Sequence, residues 1–324
     1  MSDARHTDLP DSVAAIGESG LIEAVTALLQ KGPGVLVGPG DDAALVRVGG
    51  GADGREVLVS TDMAVEGRHF RRDWSSAEDV GHRIAAANLS DVAAMGGTAT
   101  ALVVAIAAPG DLPGRWALDL MRGMLAESQL VGASIVGGDV VGTDRLTVGV
   151  TALGACPGPV VGRGGAEPGD VVAVAGRLGW AEAGLAVLSR GFRSPRAVVD
   201  AHRRPEPPYA QGPVAAAAGA TAMIDVSDGL LADLGHLAAA GSVAIDVSSS
   251  SFEVAEPLRA VGAALGIDPL GLVLRGGDDH ALAATFPPAA DLPPGWHPVG
   301  TVVDGDGVTV DGAAPEGAVG HRHY

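Results

Sequence analysis

Short apolar segments recur along the whole chain, and turns rich in glycine separate them. Aromatic residues make up 3% of the 324 residues, so alanine, valine, leucine and isoleucine must build the core. The 49 glycines indicate many tight turns. Helical spacing and strand-like alternation of apolar residues both occur in each half of the chain. This pattern predicts a mixed fold of the α/β (α+β) class.

Local patterns place the individual elements. A helix is predicted from Leu21 to a glycine stop at Gly32. A second helix opens with a capping box formed by Ser76 and Asp79, and a third starts at Pro113. Further helices are predicted at residues 179–191, 194–219, 229–240 and 252–265. Strands are predicted at residues 42–48, 56–62, 98–108, 133–139, 145–155, 170–176, 222–229, 243–248, 280–286, 297–303 and 307–312.

A segment rich in glycine and proline, CPGPVVGRGGAEPGD, interrupts this pattern near the middle of the chain. Segments of this composition are typical of domain boundaries. A chain of 324 residues also has the length expected of two domains. We therefore predict an N-terminal domain at residues 1–156 and a C-terminal α/β domain at residues 157–324.

The formal net charge of −18 limits the choice of partners. Nucleic acids and anionic membranes both select basic surfaces, and the chain has a single lysine, Lys31. The apolar runs are too short to span a bilayer, and the first residues lack the basic start and apolar stretch of a signal peptide. A single cysteine, Cys156, excludes an internal disulfide and favours an inert thiol. We expect a cytoplasmic protein that binds neither nucleic acid nor membrane.

Aspartates occur repeatedly where a predicted strand ends or a glycine-rich turn begins. Any one of them could be a turn former or a helix cap. Strand ends often converge on one edge of a sheet, where acids without counter-charges would raise each other's pKa. Divalent cations such as Mg²⁺, which prefer oxygen ligands, would resolve that conflict. The aspartates in this setting are Asp41, Asp42, Asp62, Asp139, Asp225, Asp228, Asp278 and Asp279.

Asp91 stands apart because it lies in a predicted helix among small apolar residues, in the segment AANLSDVAAMGG. A buried carboxylate needs a partner. That partner could be a backbone amide at a helix start, an arginine or a metal ion. Ser60 and Thr61 add hydroxyl oxygens beside Asp62 to the possible ligand set.

Several familiar catalytic motifs are missing from the sequence. It contains no GxxxxGK[ST] phosphate loop, no HExxH or CxxC zinc pattern and no GxSxG nucleophile elbow. A nucleotide-binding protein of this sequence would have to neutralise phosphates with metal ions, backbone amides and a few arginines such as Arg163.

Eight segments in order resemble the thiamine-monophosphate kinase family: GESGLI, GPGDDAAL, STDMAVEGRHF, AANLSDVAAMGG, VGGD, GRGGAEPGD, MIDVSDGLLADL and RGGDDHAL. The ending GHRHY is also similar, so the resemblance extends from about Gly17 to Tyr324. It implies two α/β domains and a homodimer in which the mixed N-terminal sheets form a shared barrel. It also implies transfer of the γ-phosphate of ATP to thiamine monophosphate, which yields thiamine diphosphate and ADP.

The resemblance further implies roles for individual residues. ATP would contact Gly138, Asp139, Arg163 and Ser227. The acceptor substrate would contact His69, Asp278 and Tyr324. Several Mg²⁺ ions would be held by Asp41, Asp42, Ser60, Thr61, Asp62, Asp91, Asp139, Asp225 and Asp228.

The chain departs from the family pattern at a few positions. Asp278 stands where the family usually has glutamate, and His280 stands where tyrosine is common. Val140 replaces a threonine that commonly follows the Gly-Gly-Asp motif. The shorter side chain of Asp278 puts its contact with the thiamine moiety in question.

Two other functions compete with the kinase. A related ATP-dependent synthetase would act on selenide or a formylglycinamide derivative, but the selenide enzyme is expected to have a reactive cysteine or selenocysteine with a lysine near its N-terminus. A non-enzymatic nucleotide-binding or metal-binding scaffold of the hydrogenase-maturation type is expected to end in a cysteine. This sequence ends in GHRHY.

Overall fold

A computed structural model describes residues 12–29, 32–49, 54–315, 317 and 319–320 of the chain. The α-helices of the described residues are α1 Val13–Thr26, α2 Ala77–Ala94, α3 Gly114–Leu130, α4 Trp180–Ser189, α5 Arg196–Arg203, α6 Gln211–Ala217, α7 Leu230–Gly241, α8 Glu256–Leu265 and α9 Pro269–Arg275. The strands are β1 Val35–Val37, β2 Ala44–Val48, β3 Arg55–Val65, β4 Thr98–Ala108, β5 Ser134–Gly142, β6 Thr147–Ala155, β7 Val171–Ala175, β8 Ala222–Val226, β9 Ala244–Val247, β10 Ala281–Phe286, β11 His297–Val303 and β12 Gly307–Val310.

The strands of the N-terminal half form a six-stranded mixed sheet in the order β1-β2-β3-β6-β4-β5. Neighbouring strands are antiparallel except β4 and β5, which are parallel. Helix α2 lies on β3, β4 and β6, and it packs closely against α3. That approach depends on Gly81, because a Cβ atom there would lie 2.1 Å from the carbonyl oxygen of Leu120. A substitution by alanine at Gly81 would therefore push the two helices apart.

The strands of the C-terminal half form a second six-stranded sheet in the order β12-β9-β11-β7-β10-β8. Its strands are antiparallel except β12 and β9. One face packs against a core that includes residues of α4, α5, α7, α8 and α9. The other face packs against α2 and α6. Because both faces are covered, every residue of β8 and β10 is buried.

The two halves share a core through α2. Ala93 and Ala94 of α2 pack with Met223, Phe286 and Trp296 of the C-terminal half. Gly212 of α6 allows that helix to approach α2, since a Cβ atom on Gly212 would lie 2.0 Å from the carbonyl oxygen of Ala93. Helix α2 therefore belongs to the core of both sheets, and the residues that it carries lie between the two halves.

Most predicted elements are present. Strands β2 and β3, which match the strands predicted at residues 42–48 and 56–62, pair antiparallel with each other. The capping box is also confirmed, because Ser76 Oγ accepts from the backbone amide of Asp79 at 3.2 Å and Asp79 Oδ2 accepts from that of Ser76 at 3.0 Å. The predicted strands and the third helix agree with the observed bounds to within a few residues.

Three helical assignments differ from the prediction. Helix α1 begins at Val13 and ends at Thr26, before the predicted glycine stop, and non-helical φ and ψ angles at Gly17 kink it. Helix α8 begins at Glu256 because a short 3₁₀ turn, Ser249–Ser251, occupies the predicted start. Helix α9 was not predicted, although Asp268 caps it by accepting from the amides of Leu270 and Gly271.

Two aspartates were placed wrongly at strand ends. Asp62 lies inside β3, opposite Val150 of β6, and Asp139 lies inside β5, opposite Ala105 of β4. Both strands continue for three residues beyond the aspartate because the neighbouring strand continues to pair with them.

The predicted domain boundary after residue 156 falls between β6 and β7 and stays a prediction. Within the described part of the chain, no single helix has both the length and the apolar composition needed to cross a membrane. Helices α8 and α9 together meet that test by length and composition, but the pair is bent by 114°.

Candidate active site

A cleft of about 590 Å³ lies where α2 and β3 meet the loops of the C-terminal half. Helix α2 contributes the polar side chains of Arg83 and Asn88 beside apolar ones to its lining, and the loop that follows β3 contributes the aromatic rings of Phe70 and Trp74. Five of the predicted site residues line it, namely Asp62, His69, Ser227, Asp228 and Asp278. Other lining residues include Phe70, Trp74, Arg83, Asn88, His202 and His280.

Three predicted metal ligands come together beside this cleft. Asp42 follows β1, Asp91 lies in α2, and Asp225 lies in β8. Each offers a carboxylate oxygen, and these oxygens lie within 4.8 Å of one another. Ser60 Oγ of β3 donates to Asp91 Oδ2 at 2.5 Å. We refer to Asp42, Asp91 and Asp225 as the acidic triad.

The electrostatics of the acidic triad are unfavourable without a cation. Burial raises the pKa of Asp91 well above its usual range, and the charges of Asp62, Asp225 and Asp42 raise it further. Burial likewise raises the pKa of Asp42 to about 8, and the nearby Arg163 offsets this only in part. The folded chain therefore holds protons at positions where a cation could replace them.

Arg163 is the cationic partner of the loop that carries Asp41 and Asp42. Its Nη2 donates to Asp42 Oδ1 at 2.6 Å, and its backbone amide donates to Asp41 Oδ2 at 3.1 Å. Both contacts join residues of the N-terminal half to the segment that follows β6. Arg163 thus lies beside the triad, where it could also reach a phosphate.

A second acidic group lies at the start of α7. Asp233 Oδ2 accepts from the backbone amides of Asp228 and Gly229 at 3.1 and 3.0 Å. Gly229 has a φ of +123°, a conformation that side chains rarely adopt, and this lets the chain turn sharply from β8 into the helix. The turn places Asp228 in the lining of the cleft.

The segment Asp278–Asp279–His280 makes hydrogen bonds to three neighbouring elements, which are α2, α4 and β8. Asp278 Oδ2 accepts from Arg83 Nη2 of α2 at 2.6 Å. Asp279 accepts from the amides of Trp180 and Ala181 at 2.9 Å each and so caps α4. Asp279 therefore has the helix-capping role that the sequence left open for aspartates in this setting.

His280 contacts Asp225 of the acidic triad and helps to fix its orientation. Its Nδ1 lies 3.0 Å from Asp225 Oδ2 and 3.2 Å from Ser90 Oγ. Ser90 Oγ also donates to the same carboxylate oxygen of Asp225 at 3.0 Å. His280 and Ser90 are both buried, so they hold one oxygen of Asp225 in a fixed orientation.

The structure leaves some predicted site residues outside this cluster. Thr61 Oγ1 donates to the carbonyl oxygen of Val150 at 2.9 Å, on the face of β3 opposite to Ser60 and Asp62. Gly138 and Asp139 lie on the exposed edge strand β5, where Asp139 accepts from the adjacent amide of Val140. Tyr324 lies outside the described residues. The roles of these four residues remain predictions.

Sequence reasoning missed the residues that orient the acids. Arg83 and His202 lie outside the quoted segments, and Ser90 lies within AANLSDVAAMGG but was not singled out. Each of the three finds its partner more than 100 positions away in the chain. The departure from tyrosine at His280 was the one local sign that this position has an unusual environment.

The donor set fits Mg²⁺. Carboxylate and hydroxyl oxygens are the ligands that hard divalent cations prefer. A divalent ion among the triad oxygens would replace the protons and reduce the mutual repulsion. The cysteine, by contrast, is unsuited to metal binding or nucleophilic attack, because burial raises the pKa of Cys156 to about 11.

Comparisons with known proteins indicate the family of the chain. Residues 40–156 match the sequence profile of AIR synthase related protein, N-terminal domain. The chain is 46% identical over 313 residues to the thiamine-monophosphate kinase of Mycobacterium tuberculosis, covering 95% of this chain and 92% of that one. It is 37% identical over 337 residues to the thiamine-monophosphate kinase of Corynebacterium glutamicum, covering 100% of both.

Solved structures show the same likeness. The structure described as AaThiL complexed with AMPPCP and TMP has a TM-score of 0.88 and 30% identity, covering 97% of this chain and 99% of that one. The hydrogenase maturation protein HypE in complex with ATP has a TM-score of 0.60 at 18% identity, which shows a shared fold alone.

The two-sheet fold and the match of residues 40–156 define a protein of the class with an AIR synthase-related N-terminal domain. Within that class, the identity to curated relatives over almost the whole chain decides the family. The chain belongs to the thiamine-monophosphate kinase family.

Proposed function

We propose that the protein transfers the γ-phosphate of ATP to the phosphate of thiamine monophosphate, giving thiamine diphosphate and ADP. The observation that carries this proposal is the acidic triad beside a cleft that also has an aromatic side, in a chain that is 46% identical to a curated thiamine-monophosphate kinase. The need for ATP favours a cytoplasmic location.

The chemistry explains why this site needs acids rather than a general base. The second pKa of a phosphate monoester is near 6, so the acceptor is already largely a dianion at neutral pH. One of its oxygens forms a bond to the γ-phosphorus while the bond from that phosphorus to the β–γ bridging oxygen breaks, and ADP leaves with the electron pair. No proton has to be removed from the acceptor.

The barrier is the repulsion between two anions. Two unit charges 4 Å apart repel by about 4 kcal/mol at an effective dielectric constant near 20, and several such pairs act together. Mg²⁺ bound by this site would neutralise phosphate charge and allow the two groups to approach in line. Asp42, Asp91 and Asp225 would hold Mg²⁺, and the remaining predicted ligands are Asp41, Ser60, Thr61, Asp62, Asp139 and Asp228.

Other residues of the cleft would bind the two substrates. Arg163 and Ser227, with Gly138 and Asp139, are proposed to contact ATP. His69 and Asp278, with Tyr324, are proposed to contact thiamine monophosphate. His69 is held in place because its Nδ1 accepts from the backbone amide of Val65 at 2.9 Å.

A coupled assay of ADP release with several acceptors tests the proposed function. We expect ADP release in Mg²⁺ to require thiamine monophosphate and to match the thiamine diphosphate formed, measured by chromatography. Thiamine itself should give the rate found without acceptor, because it lacks the phosphate dianion. Faster ADP release with selenide or with a formylglycinamide ribonucleotide would instead favour the related synthetases. ATP binding without turnover of any acceptor would favour a non-enzymatic nucleotide-binding scaffold.

We also propose that the protein is a homodimer joined through the N-terminal sheet. Strand β5 is the edge of that sheet, and it exposes Val136, Val140 and Val141 by 62%, 74% and 53%. An edge strand with exposed β-branched residues favours association with another strand or sheet. A second copy of the same sheet would cover this surface.

Charges on this surface should dissociate the dimer. We expect the double variant Val136→Asp, Val140→Asp to sediment as a monomer at micromolar concentration, where the wild type sediments as a dimer. Phe192→Asp is the matched control, because Phe192 is 57% exposed and follows α4 in the C-terminal half, outside the N-terminal sheet. A wild type that sediments as a monomer, or a double variant that stays dimeric, would contradict the proposal.

A further inference from the structure

An arginine of α2 joins both halves of the molecule at the wall of the cleft. Arg83 Nη2 donates to Asp278 Oδ2 at 2.6 Å. Its Nη1 lies 3.0 Å from His202 Nε2 and donates to the carbonyl oxygen of His202 at 3.2 Å. The Arg83 side chain is 14% exposed. Both terminal nitrogens are therefore engaged by protein groups, which suits Arg83 to orienting a neighbour rather than to binding a phosphate.

His202 acts as a neutral acceptor on one side of this arginine. Burial, assisted by the positive charge of Arg83, lowers the pKa of His202 to about 3. A neutral imidazole has a ring nitrogen with a lone pair, and that nitrogen can accept from the guanidinium. The imidazole also packs edge-on against Trp74, with ring centroids 6.5 Å apart. His202 thus holds the guanidinium in place, and because the imidazole is neutral it does not repel the positive charge of Arg83.

Asp278 is held on the other side, in an unusual backbone conformation. Its φ is +65°, and its amide donates to the carbonyl oxygen of Ser227 at 2.8 Å. Burial raises the pKa of Asp278, but the charge of Arg83, the smaller effects of His280 and His202 and the hydrogen bond from Arg83 together hold that pKa below its usual value. The side chain remains 42% exposed, and Asp278 lines the cleft. Residues held in such conformations are frequent at ligand-binding sites.

We propose that Arg83 is a positioning residue that, with His202, fixes Asp278 as an ionised acceptor for the amino group of the substrate's aminopyrimidine ring. This inference rests on the proposed function. An ionised carboxylate only accepts hydrogen bonds, and the exocyclic amino group of a thiamine moiety donates them. The 4-oxo analogue would instead place a carbonyl oxygen against the carboxylate, and a site with an unpaired polar group rejects such a ligand.

The same arrangement accounts for the short side chain at this position. An aspartate is one methylene shorter than the glutamate common in the family, and it needs a fixed anchor to present its second oxygen to the cleft. Arg83 supplies that anchor across 195 positions of sequence. The proposed substrate contact of Asp278 therefore depends on Arg83 as well as on Asp278 itself.

Steady-state kinetics of Arg83→Gln test the inference. Hydrogen bonds to charged groups contribute about 1.5–3 kcal/mol, so we expect KM for thiamine monophosphate to rise by about tenfold to a hundredfold. KM for ATP should stay within about twofold of wild type. The preference for thiamine monophosphate over its 4-oxo analogue, measured as a ratio of kcat/KM values, should fall by about tenfold or more. Arg83→Lys should recover part of this preference, because lysine keeps the charge but cannot engage both partners.

The control is Arg204→Gln. Arg204 also joins the two halves, through Asp79 at 2.5 Å, but it lies away from the cleft lining. We expect it to leave both KM values and the preference unchanged. An unchanged preference in Arg83→Gln, or an equal rise in both KM values, would overturn the inference.

The same assay separates this inference from the proposed function. Turnover of thiamine monophosphate by the wild type establishes the function, after which an unchanged preference in the variant contradicts only the role of Arg83. Should Arg83→Gln fail to fold, Asp278→Asn decides in its place. This variant should lose the preference for the amino substrate, and retention of that preference would overturn the inference equally.

Discussion

Replacing Asp91 with asparagine is expected to lower turnover strongly while making the metal-free protein more stable. The carboxylate oxygens of Asp91, Asp42 and Asp225 lie within 4.8 Å of one another, and burial raises the pKa of Asp91 well above its usual value. An amide is neutral in both the folded and the unfolded chain, so the folded chain no longer has to bind a proton at this position to relieve the repulsion. It also keeps an oxygen that can accept from Ser60 Oγ, which donates to Asp91 at 2.5 Å.

The two effects have opposite signs because they arise in different states. In the active complex, loss of one charged ligand should lower kcat by about a hundredfold to a thousandfold, as loss of a single electrostatic stabiliser commonly does. In the metal-free protein, relief of repulsion should raise Tm by about 2–4 °C for each kcal/mol gained. Turnover with Mg²⁺ and thermal unfolding in EDTA measure the two effects separately.

Asp306→Asn is the matched control for this experiment. Asp306 is exposed in the turn between β11 and β12, far from the cleft. We expect the control to change neither kcat nor Tm. A variant at Asp91 that kept near-normal turnover, or that melted at a lower temperature than wild type in EDTA, would contradict the assignment of Asp91 to a metal-binding triad.

Much of the fold could be predicted because its signals are local. The capping box at Ser76 and Asp79 and the alternation of apolar residues in β2 and β3 depend on residues a few positions apart. The ends of β3 and β5 were wrong for the opposite reason. Asp62 and Asp139 look like residues that end a strand, but each strand continues because a partner distant in sequence pairs with it.

In the candidate site, too, local features could be predicted and contacts between distant residues could not. Asp91 could be singled out because a carboxylate among small apolar residues of a helix is unexpected in any fold. The members of the acidic triad could be anticipated only as part of a larger set of nine possible ligands, in segments that resemble one family. The contacts of Arg83 with Asp278 and His202 could not, because no local pattern says which buried side chain an arginine will meet once two halves of a chain pack together.

The stability of the metal-free protein should fall as the pH rises from about 4 to about 8. Burial raises the pKa of Asp42 from 3.8 to about 8, so in this range the folded chain keeps a proton that the unfolded chain has lost. Folding is then coupled to proton uptake, and each pH unit removes up to about 1.4 kcal/mol per retained proton. The raised pKa of Asp91 acts in the same direction.

Saturating Mg²⁺ should remove most of this loss, because a cation binds the deprotonated carboxylates and its affinity therefore increases with pH. The increase in Tm caused by Mg²⁺ over EDTA at equal ionic strength should grow steadily between pH 5 and pH 8. Asp279 provides an internal comparison. Burial raises its pKa to about 7, but its carboxylate caps α4, so Mg²⁺ should leave its share of the pH dependence unchanged. A Tm increase that is the same at every pH would mean that Mg²⁺ does not replace protons on the triad, and the electrostatic account of the site would then be wrong.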